Sequence, residues 1–284
     1  MSRSDVSRSP VWFERPTQDG SWTLWHAEFD EGCHSRSGAW LQARERYARA
    51  CRLHERRVGE GGPFCLLDIG TGLGLNLAAA LEALENGGVP LHALTLELDP
   101  AVIVQGLALY ERAELADGPW QRWHAPVRSA LRAALAQPGR EVPLGTHGRL
   151  ELRLGDARST LSRGGSGPAR FDAVFLDPFS PRRAGALWEE AFLAEVARHM
   201  ARGAWLSTYS ASFRVRLALA RAGLRVGRGA RVGAKGEGTL ASPDLTPPEL
   251  APRVARRLAR RTAAAAGAAV FLADPQRDRG LAID

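Results

Sequence analysis

At one place in the chain an apolar run breaks into glycines, and that place limits the fold. Residues Phe64 to Ile69 are apolar except for Asp68, and Gly70-Thr71-Gly72-Leu73-Gly74-Leu75-Asn76 follows at once. Leu77, Ala80, Leu81 and Leu84 then recur at helical spacing until Asn86-Gly87-Gly88 ends the pattern. The order predicts a buried strand, a tight turn and a helix. Glycines serve such a turn in two ways: some positions need positive φ, and a ligand must reach bare backbone. The helix N-terminus aims free N–H groups and the positive end of its dipole at that ligand. A glycine turn by itself can also be a tight loop that binds nothing.

The next elements extend the pattern. Leu91 to Glu97 reads as a second strand ending in an acid. It lies about 20 residues after the glycines, where a carboxylate can accept both ribose hydroxyl protons of a nucleoside. Pro100 after Asp99 opens a helix expected to reach about Ala113. Leu150 to Leu154 alternates as a strand and ends in Gly155-Asp156-Ala157. A carboxylate just past a strand end faces the ligand crevice of an open α/β sheet. The fourth strand, Phe171 to Leu176, runs into Asp177-Pro178-Phe179-Ser180-Pro181. Pro178 cannot continue a sheet ladder, so the chain leaves the strand there. Asp177 then sits beside whatever the glycine turn binds, unless this is only a strand-end turn. Trp188, Phe192, Val196 and Met200 form a helical stripe expected in the core. Further strands are read at Ala204 to Tyr209, from Leu224, and at Gly238 to Ala241, with a helix over Phe213 to Arg221. Alternation of this kind predicts a doubly wound α/β sheet.

Residues 1–15 are expected to be disordered, 16–241 to form the main domain, and 242–284 to be an extension. Asp19-Gly20 is a hairpin-turn signal. Phe29 to Ala39 leads into a helix with Trp40, Ala43, Tyr47 and Cys51 on one face. His34 and Ser35 either touch a ligand or cap that helix. Residues 114–148 read as an inserted helical piece whose Trp120 and Trp123 either stack on bases or, by preference, pack against the domain. In the extension, Pro243, Pro247 and Pro248 form a linker. A helix carrying Arg253, Arg256, Arg257, Arg260 and Arg261 follows it, either to hold phosphates or to face solvent.

The formal net charge of +7 points to a polyanionic partner, nucleic acid first, or merely to an Arg-, Ala- and Gly-rich composition. Cys33, Cys51 and Cys65 have neither metal spacing nor a disulfide framework, so a metal-free protein is expected. The N-terminus lacks the apolar core of a signal peptide, and no apolar run approaches the roughly 18 residues of a membrane span. A cytoplasmic location without membrane contact is the simple expectation.

Together these residues resemble the MnmC-like methyltransferase domain of tRNA wobble-uridine modification. The family turn G-x-G-x-G-L-N is matched by Gly70, Gly72, Gly74, Leu75 and Asn76. Its D-G-S-x-T and H-S-x-x-G-A motifs are matched by Asp19, Gly20, Ser21 and Thr23, then by His34, Ser35, Gly38 and Ala39. The D-x-F-x-P motif with a following L-W is matched by Asp177, Phe179, Pro181, Leu187 and Trp188, and the next strand by Ser207-Thr208-Tyr209-Ser210.

The resemblance implies a class I S-adenosylmethionine-dependent methyltransferase with a Rossmann-like seven-stranded sheet, a small N-terminal extension and a helical insertion. The implied reaction is N-methylation of 5-aminomethyl-2-thiouridine at the tRNA wobble position. In many relatives the domain is fused to a flavin (FAD)-dependent oxidase; this chain is too short to hold that half, so a stand-alone form is expected, with the oxidase or another upstream enzyme on a separate chain. The resemblance also implies the tRNA anticodon loop as partner. Asp177, Pro178 and Phe179 would be catalytic, the acid holding the amine and the ring stacking on the base. Asp68, Gly70, Thr71, Gly72, Gly74, Asn76, Glu97, Asp156 and Ala157 would bind the cofactor. His34, Ser35 and Lys235 would meet the substrate. The chain departs from the family at Val232 to Glu237, where a basic G-x-G-R-K-R-E loses two arginines. A methyltransferase acting on another amine, or a homologue without catalysis, stays open on the residues alone.

Overall fold

The computed structural model describes residues 11–59, 61–163, 170–233 and 235–272. It opens with a three-stranded antiparallel meander, β1 (Trp12–Pro16), β2 (Trp22–His26) and β3 (Glu31–Gly32). Asp19-Gly20 makes the β1–β2 turn, with Gly20 at φ +83°. β1 thus lies mostly within the stretch expected to be disordered. Its anchors are remote in sequence: Trp12 is buried and its indole Nε1 donates to Asp99 Oδ2 at 3.1 Å.

The helix expected after the meander forms as α1 (Ala39–Leu41), which runs on as a π-helical stretch, Gln42–Arg49. Trp40, Ala43, Tyr47 and Cys51 are all buried there. Its free N–H groups are capped by the hairpin turn. Ser21 Oγ accepts from the amides of Ala39 (3.0 Å) and Trp40 (3.1 Å), and Asp19 Oδ2 accepts from Leu41 at 2.8 Å. His34 and Ser35 therefore do not cap it. The D-G-S motif is a helix cap delivered across the fold, satisfying donors that would otherwise be orphaned.

The predicted strand–turn–helix follows as β4 (Phe64–Ile69) and α2 (Leu75–Glu85), then β5 (Leu91–Glu97) and α3 (Pro100–Leu109). Asp99 caps α3, its Oδ1 accepting from the Ala101 amide at 2.9 Å. α3 ends at Leu109, short of Ala113. There Tyr110 turns to the meander, its hydroxyl donating to the Trp22 carbonyl (2.8 Å) and accepting from the Trp22 amide (3.0 Å).

The 114–148 segment is only partly helical. It holds α4 (Gln121–Ala136) and then β6 (Glu141–Leu144), which pairs antiparallel with β7 (Gly148–Leu154). Val142 and Leu144 point into the core while Pro143 faces out, as an edge strand allows. Trp120 is buried edge-on to Tyr110, so this tryptophan packs as expected.

The remainder alternates: α5 (Ala157–Thr160), β8 (Phe171–Leu176), α6 (Glu190–Arg198), β9 (Met200–Thr208), α7 (Phe213–Arg221), β10 (Arg225–Val232), β11 (Lys235–Ser242) and α8 (Pro252–Leu272). Met200 opens β9 rather than closing the helical stripe, but it packs in the same core cluster as Trp188, Phe192 and Val196.

The main sheet has eight strands in the order β10-β11-β9-β8-β4-β5-β7-β6. The central run from β9 to β7 is parallel, and an antiparallel strand or hairpin closes each edge. β6 is the strand beyond the expected seven. Side chains alternate between two cores: Leu66, Ala93 and Leu152 face α2 and α4, while Leu67, Leu94 and Val174 face α6 and α7. Strand order reverses at β4, between β8 and β5. A ligand crevice opens at the carboxyl ends of the strands at such a point.

Candidate active site

A cleft of about 520 Å³ occupies that position. Gly70, Thr71 and Gly72 line it from the end of β4, Glu97 from β5, Asp156 and Ala157 from β7, and Asp177, Pro178 and Phe179 from β8. Small-molecule sites have this order of size. Residues far apart in sequence meet here because parallel strands all end on one side.

The glycines serve different needs. Gly70 has φ +93°, and a Cβ there would lie 2.7 Å from the Asp177 carbonyl oxygen. Its missing side chain lets the loop after β8 cross. Gly72, at φ +51°, has nothing nearer than the Gly70 carbonyl oxygen at 4.0 Å where a Cβ would stand, and its amide donates to Glu97 Oε2 at 3.0 Å. Glu97 Oε1 also accepts from the amides of Leu98 (2.8 Å) and Asp99 (3.1 Å). Burial raises the Glu97 pKa, and these three N–H groups pull it back.

Gly74 does not reach the cleft. A Cβ there would stand 2.8 Å from Leu131 Cδ1 and 3.0 Å from Val127 Cγ1, so it is the contact point for α4. His124 of α4 holds the same turn, its Nε2–H donating to the Leu73 carbonyl at 2.8 Å. Burial pushes the His124 pKa down to about 3, so the ring stays neutral.

Two other residues expected at the cofactor lie behind the cleft. Asp68 is fully buried, and its Oδ2 accepts from Thr95 Oγ1 at 3.1 Å. Thr95 in turn meets Thr71 Oγ1 at 2.5 Å. Burial, then the nearby Asp177, drive the Asp68 pKa well above the usual carboxylate range. Asp68 is thus a brace for Thr71, since its position inside β4 points it into the sheet. Asn76, in the first turn of α2, is also buried, and its Nδ2 donates to Asp177 Oδ2 at 3.0 Å.

Asp177 is the node of the cleft. Its other oxygen, Oδ1, accepts a short hydrogen bond from the Tyr47 hydroxyl. Burial, then Asp177, raise the Tyr47 pKa, so the phenol keeps its proton. The Pro178 carbonyl accepts from Tyr209 Oη at 2.9 Å, and the Phe179 carbonyl from Trp188 Nε1 at 2.8 Å. Glu31 clamps the next residue, accepting from the Ser180 amide (3.0 Å) and hydroxyl (2.8 Å). The Phe179 ring stacks on Trp12 with centroids 6.0 Å apart and meets Phe29 edge-on at 5.2 Å. Trp12, His26 and Phe29 also line the cleft, so the meander supplies an aromatic wall. Asp156 caps α5 through the Arg158 amide and forks to the Arg158 guanidinium, which lowers its pKa.

Of the expected substrate contacts, His34 lines the cleft and its Nδ1 lies 3.0 Å from Thr23 Oγ1. Ser35 does not line it. That residue is buried, with its amide on Gln42 Oε1 and its hydroxyl accepting from the Ser37 amide. Lys235 opens β11, and its side chain lies outside the described residues. Sequence reading missed Tyr47 as a partner of Asp177, having placed it only on one face of a helix with Trp40, Ala43 and Cys51. It also missed Trp12, His26, Phe29 and Glu31, whose only signal was their nearness to the D-G-S turn. Among the described residues, no group of three or more His, Cys, Asp or Glu could hold a metal, and no helix is long and apolar enough to cross a membrane.

A family profile described as S-adenosyl-L-methionine-dependent methyltransferase matches residues 113–244. The solved structure of MNMC2 from Aquifex aeolicus superposes with a TM-score of 0.70 at 28% identity, over 89% of this chain and 77% of that one. The fold is that of the class I S-adenosylmethionine-dependent methyltransferases, and S-adenosylmethionine is the cofactor it takes. The cleft suits that cofactor in its open backbone at Gly72, its buried strand-end carboxylate and its volume.

Within the class, the chain is homologous at moderate identity to the methyltransferase domain of MnmC. It is 37% identical over 218 residues to the tRNA 5-methylaminomethyl-2-thiouridine biosynthesis bifunctional protein MnmC of Aromatoleum aromaticum, covering 73% of this chain and 31% of that protein. It is 32% identical over 232 residues to the protein of the same name from Chromobacterium violaceum, covering 76% and 33%. The chain therefore matches about a third of the length of these curated relatives.

Proposed function

We propose that this chain methylates the exocyclic amine of 5-aminomethyl-2-thiouridine at the wobble position of tRNA. The observation that carries the reading is Asp177, fixed by Tyr47 and Asn76 at the cleft beside the aromatic Phe179. When bound, the cofactor supplies an electrophilic methyl group on a sulfonium. Glu97 would hold its ribose hydroxyls, the Gly70–Gly72 turn its amino-acid portion, and Asp156 with Ala157 its adenine. Asp156 can accept from an amino group while bound to Arg158, because a carboxylate offers about four lone-pair sites.

The substrate amine, an alkyl amine with a pKa near 10, enters mostly protonated and without a lone pair. Asp177 accepts an N–H of this amine, orients it and takes up its proton. The Phe179 ring, held by Trp12 and Phe29, stacks on the base. Catalysis on this scheme is mostly positioning.

Labelled methyl from S-adenosylmethionine, offered with tRNA carrying 5-aminomethyl-2-thiouridine, should appear in the wobble nucleoside. No label, with the cofactor still bound in calorimetry, moves the substrate to another amine. One observation favours that second reading. The Val232–Glu237 turn lacks two family arginines, and its Glu237 is paired with Arg216 at 2.9 Å.

A further inference from the structure

We infer that the exposed arginine face of α8 is the surface that grips the phosphate backbone of the RNA substrate; the inference rests on the tRNA reading above. α8 carries Arg253, Arg256, Arg257, Arg260 and Arg261 and no acidic residue. At 100° per residue these five fall within an arc of about 140°. All five are exposed, while Val254, Leu258 and Thr262 on the neighbouring arc are half-buried or buried where the helix packs on α7.

Two features separate this face from an ordinary solvated one. Several exposed arginines elsewhere have acidic partners, as in Arg112–Glu14, Arg132–Glu111 and Arg221–Glu190. Among the described residues, Arg253, Arg256, Arg260 and Arg261 have none, so four uncompensated cations share one face of one helix. The face is also in the right place. The Arg257 guanidinium lies 4.0 Å over the Phe213 ring, and Phe213 follows four residues after Tyr209, which lines the cleft. The middle of α8 is thereby pinned at the carboxyl edge of the sheet, the edge on which the cleft opens.

A basic amphipathic helix can instead lie on an anionic membrane, but it then inserts its apolar face. Here Leu258 and its neighbours on that face are already packed on α7. What remains is a cationic face with fixed backbone spacing, suited to phosphates. A basic surface of this kind tracks an RNA backbone without reading sequence. It would replace the arginines missing from the β10–β11 turn.

The test measures binding of unmodified bulk tRNA to the full chain across a salt series. The variant replaces Arg253, Arg256, Arg260 and Arg261 by Gln, which keeps helix propensity. Removing four phosphate contacts should weaken binding by about tenfold or more and lower the slope of log Kobs against log [salt] by about 3. A control variant with Arg112, Arg122, Arg132 and Arg149 changed to Gln removes the same charge on the meander and α4 side, and should keep the wild-type slope. Cofactor binding by calorimetry checks that each protein is folded.

Unchanged tRNA affinity in the α8 variant overturns the inference, as does equal loss in the control. Binding of the wild-type chain to phosphatidylglycerol vesicles that tRNA does not displace also overturns it, in favour of a membrane surface. The methyl-transfer assay is scored separately. Methylated tRNA with an unaffected α8 variant keeps the function and removes the surface. Arginine-dependent tRNA binding without methyl transfer does the reverse.

Discussion

Tyr47→Phe deletes one oxygen from a fully buried side chain and leaves the ring against Phe175, whose centroid is 5.4 Å away. What is lost is the hydrogen bond to Asp177 Oδ1, while the bond from Asn76 Nδ2 to Oδ2 remains. A hydrogen bond to a charged group contributes about 1.5–3 kcal/mol. If that whole amount is felt in the transition state, at 1.36 kcal/mol per decade kcat falls about 10- to 150-fold. Affinity for S-adenosylmethionine should hold, because Tyr47 does not line the cleft.

The assay is single-turnover methyl transfer to tRNA, with calorimetry for the cofactor and thermal unfolding to choose a temperature at which the variant is folded. A double-mutant cycle isolates the cause. In an Asp177→Ala background, itself slower by about 10²-fold or more, Tyr47→Phe should cost nothing further. A kcat within about twofold of wild type would refute the positioning argument. So would an undiminished Tyr47→Phe effect in the Asp177→Ala background.

Other changes test other parts of the cleft. Glu97→Ala should weaken S-adenosylmethionine binding about 10- to 100-fold in calorimetry, the range of a lost charged hydrogen bond; unchanged affinity removes Glu97 from the ribose. Gly74→Ala forces a Cβ onto Leu131 at a φ of +78° and should lower the urea midpoint by an amount equivalent to about 1–3 kcal/mol. The fraction that folds should bind cofactor normally, and a stable variant with weak binding would return Gly74 to the ligand. His124 titrates near 6.5 in the unfolded chain but only at about 3 when folded. The unfolded state therefore binds the extra proton first, and stability falls as pH drops below about 6.5. Urea midpoints at pH 7 and pH 5 should differ less in His124→Gln than in wild type.

The strands and their chemistry were legible wherever local pattern and tertiary role coincide. β4, β5 and β8 are largely apolar runs because both faces of a parallel sheet are covered. Their strand-end residues Gly70, Glu97 and Asp177 could thus be placed at one crevice. Pattern failed where a residue answers to a distant neighbour. β6 is four residues long and is a strand only because β7 lies beside it. β1 is held by Asp99, and its partner β2 by Tyr110, both far along the chain. The D-G-S turn looks like a hairpin signal and is one, but its acceptors also cap α1.

The sequence alone determined the doubly wound sheet and that Gly70, Glu97 and Asp177 meet at one crevice, because spacing of glycines and carboxylates against strand ends is a one-dimensional property. Only the tertiary structure decided which members of the motifs face the ligand. Gly72 is open to the cleft while Gly74 is packed under α4, although both sit in one turn. Asp68 and Asn76 support the residues that line the cleft from behind it. Tyr47, which helical spacing placed on one face with Trp40, Ala43 and Cys51, is buried and still reaches Asp177, because burial and hydrogen bonding are satisfied by different atoms of the same side chain.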